Sequence, residues 1–173
     1  MKVSVAMIAA ALLLPGVGAS AQGVSDAQIA SIVVTANQVD IDAGKVARSM
    51  AASAEVRKFA EQMITDHTGV NKSAVDLVTK LKVTPEDNPT SQSLKSGGDK
   101  NIANLKTLKG AAFDKAYIDH EVAYHQQVID AMDKTLIPGA TNAELKALLV
   151  KVRPAFVAHL EHAKHVQSSI AKY

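Results

Sequence analysis

FDKAYIDHEVAYHQQVIDAM, residues 113–132, decides how the rest of the chain is read. At about 100° per residue it forms one amphipathic helix. Phe113, Ala116, Tyr117, Tyr124, Val128 and Met132 share its inner face, while Asp119, Gln126 and Asp130 share the outer one. Glu121 falls between Val128 and Met132 on the wheel, well inside the apolar arc, with His120 and His125 to its two sides. A carboxylate on the buried stripe of a helix needs a partner, because an unpaired buried charge is strongly destabilising. Gly110 precedes this helix, which ends near Leu136, before the breakers Pro138 and Gly139.

Three other segments show the same period, each with a polar residue inside its apolar stripe. Residues 26–50, capped by Ser25, place Ile29, Ile32, Val33, Ala36, Val39, Ala43 and Ala47 on one face. Asp40 lies within that face and Asn37 at its border. Residues 53–82 begin at Ser53, a good N-cap, and carry His67 in line with Met63, Phe59 and Val70. Residues 142–171, with Thr141 as a cap, carry His159 in the centre of a Leu/Val/Phe stripe and His162 one turn on at its edge. Pro154 interrupts this last pattern one turn before His159.

The heights match. Glu121 and His159 each lie about 18 to 19 residues from the turn near Gly139, a mismatch of a few ångströms at ~1.5 Å per residue. Asp40 and His67 differ by about one helical turn across the turn near Ala51. One inward polar residue per helix thus converges on one layer.

Residues 84–109 read as a connection. Two prolines, the Gly97-Gly98 pair and many polar side chains make a long crossover with a flexible glycine pair. Weak periodicity through Ile102, Leu105 and Leu108 adds a short helix over 94–108. No run alternates with period two, so no strand is expected. The architecture is all-α, a four-helix bundle with a long crossover between helices two and three, which is the ferritin-like connectivity.

Other features narrow the setting. Lys2, an apolar run over 3–14, and Ala19-Ser20-Ala21 form a signal peptide over 1–21, leaving one domain over 22–173. The expected location is the periplasm, with secretion as the alternative. No later segment is apolar for long enough to span a bilayer. The absence of cysteine excludes disulfides, thiolate chemistry and a lipid anchor on a mature N-terminal cysteine. A formal charge of +2, no Trp and no basic stripe argue against nucleic acid. No G-x-S-x-G elbow is present. Oligomeric state is not legible.

Four stretches carry a resemblance: NQVDIDAGKVA (37–47), AEVRKFAEQMITDHTGVN (54–71), GAAFDKAYIDHEVAYHQQVID (110–130) and RPAFVAHLEHA (153–163). Through them the chain resembles an uncharacterised bacterial family of exported ferritin-like proteins, a domain of unknown function often labelled "predicted outer membrane protein". The resemblance implies the bundle and export, and no activity. The outer-membrane label conflicts with the sequence, since a barrel needs alternating strands.

Two functional expectations follow. In the first, Asp40, His67, Glu121 and His159, with His125 and His162 in reserve, bind a transition metal. Imidazole and carboxylate without thiolate suit iron, manganese, zinc or copper. In the second, the same residues form a hydrogen-bonded network that only fixes helix register in a non-enzymatic envelope or stress-related protein. A di-iron oxidase is a third and weaker reading. Such sites use a Glu from each of two helices and Glu-x-x-His from the other two. This chain offers Glu121-x-x-x-His125, His159-x-x-His162 and one inward glutamate.

Overall fold

The computed structural model describes residues 23–171, so the expected signal segment 1–21 lies outside the described residues. All regular structure among these residues is helical: α1 (Asp26–Met50), α2 (Ala54–Leu81), α3 (Pro89–Leu105), α4 (Gly110–Ala131), a π-helical turn (Met132–Leu136), α5 (Ile137–Gly139) and α6 (Ala143–Ile170). No strand occurs among them.

Local chemistry sets the ends. Ser25 and Gln28 form a capping box at α1, each side chain bonding the other's backbone N–H at 3.2 Å. Ser53 caps α2, and Lys82 closes it in the left-handed conformation at φ 54°. Asn142, rather than Thr141, caps α6 by accepting from Glu144 N and Leu145 N. Thr141 instead donates from its backbone N and hydroxyl to Asp26 at 2.9 and 2.5 Å, closing the start of α1 against the start of α6. Asp114, buried on α4, accepts from Ala52 N and Ser53 N at 2.9 and 2.7 Å and so ties α4 to the α1–α2 turn. Helix α6 continues through Pro154.

Residues 84–109 differ from expectation. Most of the segment is a helix of 17 residues, and the glycine pair lies inside it. Asn88 and Ser91 form a capping box ahead of Pro89, and Asn88 Nδ2 donates to Gln28 O, fastening α3 to the first turn of α1. Gly98 is the point of close approach: a Cβ there would lie 2.7 Å from Val39 Cγ1 on α1. A Cβ at Gly97 would meet nothing. The pair therefore serves helix packing rather than loop freedom.

Helix α1 packs on α2, α3 and α4, and α4 and α6 lie side by side. The core falls into two apolar halves. One is built from Ile29, Ile32, Val128, Leu149, Phe156 and their neighbours. The other is built from Ala47, Phe59, Met63, Phe113, Tyr117, Val166 and theirs. Between these halves along all four long helices lie Asn37 and Asp40 on α1, His67 on α2, Glu121 and His125 on α4, and His159 on α6, each at most 3% exposed. Apolar packing on both sides thus fixes the height of a polar layer.

Candidate metal centre

Asp40, His67, Glu121 and His159 meet in this layer, and His125 joins them at 0% exposure. One ligand-capable atom from each of His67, His125 and His159 lies within 4.8 Å of the others, and the same holds for Asp40, Glu121 and His125. The three imidazole ring centres are 5.2 to 5.6 Å apart. Phe156 packs against all three rings at 5.1 to 6.2 Å. His162 stays outside. It is half-buried, lies edge-on to Phe59, and donates from Nδ1 to Gln62 Oε1 at 3.0 Å.

Each central histidine has one nitrogen pinned from outside. His67 Nδ1 lies 2.7 Å from Asn37 Oδ1, and Asn37 Nδ2 donates to Val33 O at 2.8 Å. That second bond turns the amide oxygen towards His67, so Nδ1 is the protonated nitrogen. His125 Nδ1 lies 3.0 Å from the Glu121 carbonyl, which only accepts. His159 Nε2 lies 2.9 Å from Asp66 Oδ2 on α2, the carboxylate that Gln62 also contacts at 3.3 Å. In all three rings the remaining nitrogen faces the polar layer. Those nitrogens are His67 Nε2, His125 Nε2 and His159 Nδ1, all buried without a hydrogen-bond partner.

Both oxygens of Asp40, Glu121 Oε2 and the Tyr117 hydroxyl are likewise buried and without a hydrogen-bond partner. Asp40 Oδ2 lies 3.0 Å from His67 Nε2 and 3.5 Å from His125 Nε2, and Glu121 Oε2 lies 3.5 Å from His125 Nδ1. The first contact has ion-pair distance but not the direction of a hydrogen bond. The two Asp40 spacings match the edges of a coordination polyhedron. Metal–ligand bonds of ~2.1 Å put neighbouring ligands about 3.0 Å apart in an octahedron and about 3.4 Å apart in a tetrahedron. Tyr124 is not part of the centre's donor set, since its hydroxyl donates to Ala36 O at 2.9 Å.

The charges sort themselves. Burial, reinforced by the Asp40 charge, raises the Glu121 carboxyl well above its usual range, so it holds a proton. Burial also acts on Asp40, but His67 and the other imidazoles outweigh it and hold this carboxyl below its ordinary value. Burial lowers His125 to about 4 and lowers His159, which Asp66 partly offsets. At neutral pH His125 is therefore neutral, and Asp40 carries the negative charge. A divalent cation that displaced the Glu121 proton would face two carboxylates.

Asn37 and Asp66 were not among the expected site residues. Asn37 sits three residues before Asp40, and Asp66 directly precedes His67. Nothing in those positions reveals that they hold the outer nitrogens of two rings. The chain belongs to the family described as domain of unknown function (DUF4142), whose pattern it matches over residues 14–166. No curated protein matches it, and no solved structure does.

Proposed function

We propose that the chain is an exported, periplasmic helical bundle of ferritin-like connectivity whose polar layer binds a transition metal ion. His67, His125 and His159 supply nitrogen donors, and Asp40 and Glu121 supply oxygen. One observation carries this reading. All three imidazoles are oriented by an outer acceptor and turn their other nitrogen, which makes no hydrogen bond, into the same buried space. Metal-binding histidines are held in this way, with the second nitrogen donating to a carboxylate, a carbonyl or an amide. Apart from the contacts of Asp40 with His67 and His125, these inner atoms make no hydrogen bond, and each buried polar group left so is destabilising by about 1–3 kcal/mol, which a bound cation would offset.

The donor set favours iron, manganese, zinc or copper over calcium. Asp66 is 41% exposed at its side chain and touches His159, so it is the natural point of first contact for an incoming cation. His162 plays no direct part: Gln62 joins it to Asp66 from outside.

Metal analysis of protein recovered from the periplasmic fraction tests this reading. The expected result is near-stoichiometric metal that is lost in His67→Ala and His159→Ala, and a rise in melting temperature when that metal is returned to stripped protein. At a free concentration of 100 Kd the gain is about 2.7 kcal/mol. No bound metal, and a melting temperature indifferent to all four ions, would overturn it in favour of the purely structural network.

A further inference from the structure

Beside the polar layer lies an apolar chamber of about 90 Å3, partly open to solvent past Thr90 and Gln127. Phe156 and Asn37 form its wall towards the centre. Phe156 is the ring that packs on all three histidines, and Asn37 is the amide that holds His67. Met132 and Leu136, the two ends of the π-helical turn, line the far side. A π turn widens the helix locally and often accompanies function. No charged side chain lines the chamber.

The chamber has a route to solvent. A recess of about 500 Å3 lies under α3, between Gly97, Gly98, His120 and Tyr124. The recess and the chamber share Thr90, Leu94 and Gln127, of which Thr90 and Gln127 are exposed. The recess carries no Asp, Glu, Lys or Arg, and its imidazole, His120, stacks on Tyr124. Polar outside and apolar inside, this path offers nothing to an ion. It admits a small uncharged molecule.

Resting on the metal-binding reading above, we propose that this chamber delivers a small uncharged diatomic molecule, of the size and polarity of dioxygen, to the metal centre. Size, polarity and placement agree. Dry apolar cavities of about 150 Å3 take up xenon or benzene, and this partly open apolar space of 90 Å3 has room for a smaller guest. A metal held by His67, His125 and His159, or by Asp40, Glu121 and His125, would have fewer protein donors than an octahedral ion accepts, so a position would remain for an outside ligand. The proposal concerns binding at that position and includes no electron transfer.

Two measurements on the full mature chain test it. Crystals pressurised with xenon should show an atom among Val128, Leu149 and Phe156, and Val152→Phe or Ala131→Leu should abolish it. In anaerobic protein loaded with Fe(II), nitric oxide serves as the probe. Its association, followed by stopped-flow absorbance and the spin-3/2 signal of the adduct, should be several-fold slower in both variants at unchanged iron content and helicity. An empty chamber under xenon overturns the proposal. So does an association rate that neither variant changes. Failure to load any metal overturns the metal-binding reading instead, and the xenon result still decides whether the chamber takes a small apolar guest.

Discussion

Acid should unfold the metal-free protein through His125, by an amount the structure sets. This ring is fully buried, and burial lowers its pKa from 6.5 to about 4. The unfolded chain therefore binds this proton more readily than the folded one. Stability from His125 is complete above the unfolded value of 6.5 and is lost as pH falls through the folded value of about 4. The gap is worth about 3 kcal/mol at ~1.4 kcal/mol per unit, and most of it is gone by about pH 4.5. His159, also lowered, acts in the same direction. Glu121 acts oppositely. Its folded pKa is raised, so its contribution is complete below the ordinary glutamate value and fades as pH rises through the folded one. Asp40, lowered, matters only below the ordinary aspartate range. Urea unfolding in chelator between pH 7.5 and 4.5, on the natural chain and on His125→Gln, isolates the His125 share as the difference between the two curves. That difference should shrink by about 2 to 3 kcal/mol over the interval. Parallel curves would refute a neutral, buried His125, and with it the lone pair at its inner nitrogen.

Asn37→Leu should weaken metal binding by about 10- to 100-fold while the ligands themselves stay in place, because it frees the His67 ring. Isothermal titration of the metal reads this, and unfolding in chelator should show a separate loss of about 1–3 kcal/mol for the unpaired His67 N–H. The two glycines of α3 should part company. Gly97→Ala, with open space at its Cβ, should stabilise by about 1 kcal/mol. Gly98→Ala places a methyl 2.7 Å from Val39 Cγ1 and should destabilise on balance, since overpacking costs about 1–3 kcal/mol. Thermal melts of the double variant Gly98→Ala with Val39→Ala should show positive coupling between the two sites. Asp114→Asn keeps one acceptor for the two backbone donors of the α1–α2 turn and should lower stability by about 1–3 kcal/mol in the same assay.

The four long helices were legible because their signals are local. Ser25 and Ser53 cap where expected, and most positions of the stripes of period 3.6 are buried, with Val70 and Ala116 only partly so and Ile118 and Ile129 joining the core from outside the drawn face. Helix α3 was obscured by Gly97-Gly98, which read as a breaker. Its opening signal, Asn88-Pro89 with Ser91 at the third helical position, was present but carried no apolar stripe behind it. Asp40, His67, Glu121 and His159 were legible as polar residues in apolar stripes. His125 was placed at a flank because a wheel assumes one buried arc. Helix α4 touches α1, α3 and α6, so its buried arc is wider than its apolar one. His162 shows the converse, since the same spacing at the rim of α6 faces Gln62. Asn37 and Asp66 act on other helices through contacts about 30 and 90 residues away, which no local pattern reports.

The depth of the polar layer bears on time as well as affinity. None of its five donor residues is more than 3% exposed, so no chelator can touch a bound ion from solvent. Release of such an ion would wait for the protein to open, and the half-exposed Asp66 beside His159 is the nearest solvent-reached side chain to the layer. The rate of metal removal would then saturate with chelator concentration and report the frequency of that opening. A metal held at this depth would stay through dilution and changes of medium far longer than its equilibrium constant alone would suggest.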